Sequence, residues 1–212
     1  MIIVFARAPV PGRAKTRLIP KLGAARAARL HRRLTREAVS TALAARCGPV
    51  EVHGTARHSF FASLGVPFRL QRGRNLGERM YRAVSRARGP AIVIGTDCPA
   101  LAPADLRRAA RALKSGYDAV LAPAEDGGYA LIGLRRKSFA FFEGIDWGGP
   151  RVYSDTARRL AGYRWRALRR MWDVDRPADL ERLRALRFAS ASRRGAARWR
   201  GSPARSGGSG RT

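Results

Sequence analysis

Short apolar runs alternate with longer Ala- and Arg-rich stretches along almost the whole chain, and this alternation most limits how the chain can fold. Residues 2–6 read as a buried strand, 49–54 ("PVEVHG") as a second, 67–71 ("PFRLQ") as a short third and 90–97 ("PAIVIGTD") as the cleanest of all. Residues 117–123 and 128–134 follow as strands, and "YRWRAL" (163–168) is a candidate for one more. Between them, 23–46 carries Leu30, Leu34, Val39 and Leu43 at near-helical spacing. Phe60, Phe61 and Leu64 suggest a short helix. Residues 75–89 start at a possible Asn75 cap and stop at Gly89. Pro103, Pro150 and Pro177 each open a further helix, to about Ser115, Ala161 and Leu186, the first with Asp105 in its opening turn. Strands alternating with helices predict an α/β fold, a three-layer sandwich with a mostly parallel sheet covered on both faces. Ligands of such sheets bind beyond the carboxyl ends of the strands, so the chemistry is expected just after them.

A chain of 212 residues with 45% hydrophobic residues suffices for one such domain. We place it at 1–188. From Ala189 the composition turns to Ser, Gly and Arg, which predicts a disordered tail over 189–212. No apolar run approaches the roughly 20 residues of a membrane span, and the N-terminal apolar run stops at Phe5, so a cytoplasmic protein is expected. Cys47 and Cys98 form neither a disulfide framework nor a metal-ligand spacing. The net charge of +28 is carried almost wholly by Arg spread over every helix. That distribution reads as a compositional bias; nucleic-acid binding is kept as an alternative but is not favoured, since no aromatic stacking pattern accompanies the charge.

Four segments could carry chemistry. After the first strand, "ARAPVPGRAKTRL" contains Gly12, which lets backbone approach a ligand, and Arg13, Lys15 and Arg17, whose charges suit a di- or triphosphate. The spacing is not that of a Walker A loop, and a solvated basic turn is the alternative. Asp97 stands at the tip of the strand "VIGTD", a position suited to holding Mg²⁺ or Mn²⁺ or, equally, to a turn or cap. Cys98 beside it reads as a small buried residue, with no His nearby in sequence. "AEDGGYA" offers Glu125 or Asp126 to an acceptor, while Asp126-Gly127-Gly128 is also a hairpin signal. "MWDVDRPADL" sets Asp173 and Asp175 two apart, so that both could converge, although Asp175 ahead of Pro177 also fits a helix cap. His31, His53 and His58 form no catalytic or metal set, and His31, in an Ala/Arg helix, reads as a surface residue.

Taken together and in order, "FARAPVPGRAKTRL", "QRGRNLGERM", "IGTDCPAL", "EDGGYALIGL", "GIDWGGPRV" and "DVDRPADL" resemble a small bacterial glycosyltransferase-like family of the type-A (GT-A) fold, often labelled arsenosugar-biosynthesis glycosyltransferases. The resemblance spans about residues 1–186 and extends to sugar-nucleotide-forming nucleotidyltransferases. It implies a Rossmann-like nucleotide-binding sheet that binds a nucleotide-diphosphate sugar and a small acceptor. It implies that Arg13, Lys15 and Arg17 face the phosphates, with Lys15 stabilising the departing group. Gly77 and Arg79, with Glu78, would line the nucleotide side. Asp97 and Asp175 would hold the metal, Mg²⁺ or Mn²⁺, and Asp126 would serve the acceptor as a base. Two departures are visible: Asn75 replaces an expected acid, and Gly148-Gly149 replaces small hydroxyl residues. Transfer of a nucleotidyl group with release of pyrophosphate is the alternative reaction.

Overall fold

The computed structural model describes residues 1–188; the tail expected over 189–212 lies outside the described residues. Seven strands form one sheet: β1 (Ile2–Ala6), β2 (Val50–Gly54), β3 (Phe68–Leu70), β4 (Ala91–Ile94), β5 (Ala119–Pro123), β6 (Tyr129–Leu134) and β7 (Trp165–Ala167). Their spatial order is β3-β2-β1-β4-β6-β5-β7. Only β6 runs against its neighbours, pairing antiparallel with both β4 and β5. All seven expected strands are present, and the sheet is mostly parallel as the alternation predicts.

The helices are α1 (Ile19–Leu22), α2 (Ala24–Ala45), α3 (Ser59–Ala62), α4 (Leu76–Ser85), α5 (Pro103–Lys114) and α6 (Val152–Arg159), with a last helical stretch over 179–188. The two faces of the sheet separate cleanly by strand parity. Ile2, Val4, Ile92 and Ile94 pack with Val39 and Ala42 of α2 and Leu106 and Ala109 of α5. Ile3 and Val93 point the other way, onto Met80 and Val84 of α4, Phe141 and Phe142, and Leu160. Burial on both faces explains why the central strands are unbroken apolar runs rather than alternating ones. A smaller third cluster, Leu18, Leu34, Trp172, Val174 and Leu183, forms beneath the 179–188 helix.

The stripe of α2 differs from the expected one. Its buried residues are Ala27, Ala28, His31, Leu34, Thr35, Val39, Ala42 and Ala45, whereas Leu43 is half exposed. Small side chains let a long helix lie close to the sheet, so Ala carries the periodicity that Leu was expected to carry. The expected surface position of His31 is overturned for the same reason: it sits on that stripe and is buried. Arg guanidiniums also cap aromatic faces, Arg36 over Phe60, Arg164 over Tyr117 and Arg182 over Trp172, leaving those rings covered rather than open to stacked bases.

Topology fixes where a ligand can enter. From β1 the chain crosses through α2 to β2 and β3 on one side. It then returns through α4 to β4 on the other side of β1. Pairing of β1 with β4 ends at Val4–Ile94, beyond which the two chains diverge. This reversal of direction opens a crevice at their carboxyl ends.

Candidate active site

A cavity of about 590 Å³ fills that crevice. Its size suits a nucleotide-sized ligand. β1 supplies Phe5, Ala6 and the following Arg7, and the segment after β4 supplies Gly95, Thr96 and Asp97. Gln71 after β3 and Asn75, Leu76 and Arg79 at the start of α4 line it as well, with Asp126, Trp147, Gly148, Gly149 and Asp173. The lining thus combines the cations Arg7 and Arg79 with the acids Asp97, Asp126 and Asp173.

The opening loop does not line this cavity as a phosphate cradle. It folds into a packed turn: Arg13 and Ala14 donate backbone bonds to Val10 O at 3.0 and 3.2 Å, and Ala14 and Leu18 are fully buried. Gly12, at φ +82°, and Arg13 are exposed on the outer surface of the turn. Arg17 is also exposed and pairs with Asp175. Lys15 alone turns inward. Its side chain is only 3% exposed, and its ammonium lies 2.9 Å from Asp97 Oδ2 and donates to Val174 O. The loop and the β4 carboxylate thus meet, but through an ion pair with a buried ammonium and a half-exposed carboxylate, not through a cation offered to ligand. Arg7 and Arg79 are the cations that reach the cavity, and Arg79 is steadied by Nε donating to Gly73 O at 3.0 Å.

Asp97 sits at the cavity floor with its side chain 47% exposed. Burial alone raises its pKa, but the Lys15 ammonium, the neighbouring His31 and the Thr96 hydroxyl outweigh it and hold the carboxyl below its usual range. Beside it, burial pushes the Cys98 thiol up to about 11, so Cys98 is a neutral thiol at physiological pH, facing Met171 Sδ at 3.7 Å.

The late acids exchange places. Residues 171–175 run extended beside β5 and the β4 tip, with Met171 N donating to Pro123 O and Val174 N to Asp97 O, each at 2.8 Å. Trp172 and Val174 point into the third cluster, so Asp173 faces the opposite way, into the cavity. Asp175 ends the segment. Its N–H goes to Asp179 Oδ2 at 2.9 Å as the last helix begins, and its carboxylate goes to Arg17 outside the cavity lining. Asp173 rather than Asp175 therefore shares the cavity with Asp97. It caps nothing there, and burial together with the Asp126 and Asp175 charges pushes its carboxyl up to about 6.

This has a measurable consequence. Asp173 keeps its proton to a higher pH in the folded than in the unfolded chain, so stability falls as pH rises from about 4 to about 6. In buffer free of divalent cations, Asp173→Asn is expected to remove that fall and to be more stable than wild type by about 1–2 kcal/mol at pH 7. Urea midpoints of both proteins at pH 4 and pH 7 check this.

Asp126 occupies the β5–β6 hairpin, so both readings of "EDGG" apply to it. Its Oδ1 accepts from Gly128 N at 2.9 Å, and the residue still borders the cavity. Glu125 does not, because Arg182 takes both of its oxygens at 2.7 and 2.9 Å. Gly127, at φ +90°, is indispensable to the turn: a Cβ there would lie 1.9 Å from Pro150 O.

Gly77 also serves a close approach, not a ligand. A Cβ on it would lie 2.5 Å from the Trp147 ring, which roofs the cavity. Gly77→Ala is expected to cost about 1–2 kcal/mol and to shift the tryptophan emission as Trp147 is displaced, which chemical denaturation and fluorescence will read.

Sequence reasoning missed Arg7 and His31. Arg7 directly follows β1, where the carboxyl-end rule would have pointed to it. His31 was legible in the i, i+3, i+4 spacing of the buried α2 stripe. Among the described residues, no three His, Cys, Asp or Glu side chains converge as a ready-made cation cage.

Known structures and families agree with this architecture. A structure described as a "putative nucleotide-diphospho-sugar transferase" from Desulfovibrio desulfuricans G20 is 32% identical, with a TM-score of 0.77 over 82% of this chain and 81% of that one. CMP:2-keto-3-deoxy-manno-octonic acid synthetase, solved with CTP, is 14% identical with a TM-score of 0.62 over 90% of this chain and 98% of that one. The 4-diphosphocytidyl-2C-methyl-D-erythritol synthase is 11% identical with a TM-score of 0.58 over 87% and 96%. The latter two share the fold. No curated protein matches the chain in sequence, and no described helix is long and apolar enough to cross a membrane. A family model described as "Uncharacterized protein conserved in bacteria (DUF2064)" matches residues 25–149, and the chain belongs to that family.

Proposed function

We propose that the chain is a transferase acting on a nucleotide-diphosphate sugar, which it binds across the carboxyl ends of β1 and β4. The observation that carries the reading is the lining of the 590 Å³ cavity at the sheet's switch point, where Arg7 and Arg79 occur together with Asp97, Asp126 and Asp173. The 32% identity to the Desulfovibrio protein supports it.

In this reading Arg7 and Arg79 take the diphosphate, as planar guanidiniums do well. Gln71 Nε2 is held by His53 O and Asn75 Oδ1 caps α4, which leaves Gln71 Oε1 and Asn75 Nδ2 for the nucleoside end. Lys15 acts through Asp97, keeping it ionised and aimed at the cavity. The donor set fits a hard divalent cation: Asp97 Oδ1 accepts from the Thr96 hydroxyl at 3.2 Å and keeps a second lone pair, and Asp173 is crowded by like charge that a cation would relieve. Such ions keep waters and phosphate oxygens as ligands and need only one or two carboxylates, so the absence of a three-residue cage among the described residues is compatible with them. Asp97 and Asp173 would hold Mg²⁺ or Mn²⁺, which when bound neutralises charge on the departing diphosphate. Asp126 stands on the acceptor side. It would take the proton of an acceptor hydroxyl as that oxygen attacks the anomeric carbon and the carbon–phosphate-oxygen bond breaks. The arsenosugar label implied by the resemblance would make that acceptor an arsenical; the cavity supports a small acceptor.

Incubation with Mg²⁺ and a panel of sugar nucleotides and nucleoside triphosphates separates the reactions. Release of nucleoside diphosphate from a sugar nucleotide is the expected result. Pyrophosphate released from a triphosphate and a sugar phosphate would instead identify a nucleotidyltransferase in the same cavity.

A further inference from the structure

The two carboxylates assigned to the cation come from segments far apart in the chain, Asp97 from the tip of β4 and Asp173 from the extended segment that follows β7. Their use as a pair depends on what holds those segments to each other. At one end the tie is backbone: Val174 N donates to Asp97 O at 2.8 Å, and the Lys15 ammonium spans Asp97 Oδ2 and Val174 O. A tie at one place leaves the segment free to swing about it. The second tie is Arg169. Its Nε and Nη2 donate to the two oxygens of Asp105 at 3.1 and 2.7 Å, and Nη2 also donates to Ala100 O at 2.6 Å. Asp105 stands in the first turn of α5 with its side chain 3% exposed. One planar fork thus grips both the start of α5 and the loop that leads to it from Asp97. Between the two ties, Cys98 Sγ lies 3.7 Å from Met171 Sδ. Asp173 sits inside this span, between Arg169 and Val174.

A helix cap does not need this arrangement. Ala102 N already donates to Asp105 Oδ2 at 3.0 Å, and Arg108 already offers a counter-charge 4.0 Å from Oδ1. What Arg169 adds is geometry, because a bidentate pair sets direction as well as distance. The third bond, to Ala100 O, leaves the fork little room to rotate. We propose that Arg169 is a positioning residue for the cation site, its fork on Asp105 and Ala100 setting the relative placement of Asp97 and Asp173. This rests on the transferase reading above and its cation. It deepens both, because it assigns the geometry of the site to a residue that does not line the cavity.

Mn²⁺ serves as a paramagnetic probe of the divalent site. Its binding is titrated by electron paramagnetic resonance, alone and with saturating UDP, CDP, GDP or ADP, and binding of each diphosphate without metal is measured by calorimetry. Arg169→Gln removes both the charge and the fork. Arg169→Lys keeps the charge and gives up the fork, because an ammonium is a point charge. Arg169→Gln is expected to weaken Mn²⁺ binding about tenfold, the lower end of what losing an outer partner of a metal site costs, while metal-free diphosphate binding, which falls to Arg7 and Arg79, changes by less than about twofold. Arg169→Lys is expected to recover the wild-type urea midpoint but not the Mn²⁺ affinity. A merely structural cap would not produce that split, since its loss lowers the midpoint without singling out the metal. Wild-type Mn²⁺ affinity in either variant, or equal losses of Mn²⁺ and diphosphate binding, would overturn the positioning role and leave the transferase reading standing. Diphosphate binding by wild type without any Mn²⁺ binding would overturn the cation site and this inference with it. Wild type that binds neither Mn²⁺ nor any diphosphate would overturn the transferase reading as well.

Discussion

Lys15→Met is expected to lower the free energy of unfolding by about 3 kcal/mol. The substitution keeps the length and most of the volume of the side chain, so the loss isolates the charge. Lys15 is 3% exposed and serves two partners, Asp97 Oδ2 and Val174 O. Removing its ammonium strands a carboxylate and a carbonyl together. Breaking a buried pair in this way costs about 3–5 kcal/mol, and the low end applies because Asp97 keeps partial contact with water. The bond to Val174 also ties the N-terminal loop to a segment 159 residues away. The loop should therefore loosen, and Asp173, one residue before Val174, should lose its fixed direction. Denaturant titration checks this: the midpoint should fall with an unchanged slope.

Asp97→Asn is expected to remove the activity as well as weaken the fold. The amide oxygen can still accept from Lys15, but the buried ammonium loses its counter-charge, so stability should also drop by about 3 kcal/mol. Turnover should fall by about 10²–10³-fold, the effect of losing one charge that acts on the departing group. The fall should appear mainly in kcat. Turnover of Asp97→Asn within a few-fold of wild type would mean that this carboxylate plays no part in the chemistry. Steady-state kinetics on whichever donor the product assay identifies provides the measurement.

These two residues show what was and was not legible in the chain. The apolar runs of β1 and β4 announced themselves because strands buried on both faces carry no polar alternation. The carboxyl-end rule then directed attention to the loop after β1 and to Asp97, and these do meet. The manner of their meeting was not legible. A lysine in a basic loop reads as a ligand for phosphate. Only the fold reveals that Lys15 turns inward with a left-handed backbone, φ 52°, and that Gly12, Arg13 and Arg17 stay outside. The choice between Asp173 and Asp175 was likewise decided at long range, by Arg17 capturing Asp175 from the other end of the sequence. The reversed direction of β6 left its trace in the Asp126-Gly127-Gly128 turn, which serves as a hairpin and as a cavity wall at once. His31 lies at helical spacing on the buried stripe of α2, but that stripe is carried largely by Ala, so burial of the histidine shows in the spacing and not in hydrophobicity.

The central claim is that a nucleotide's phosphates lie at the ends of β1 and β4, between Arg7, Arg79 and Asp97. Crystals grown with Mg²⁺ and each of UDP, CDP, GDP and ADP at saturating concentration test it most directly. The account predicts diphosphate density in the 590 Å³ cavity, within hydrogen-bond distance of the Arg7 and Arg79 guanidiniums. Diphosphate bound instead at the outer face of the Gly12–Arg17 turn, or an empty cavity with all four nucleotides, would contradict it.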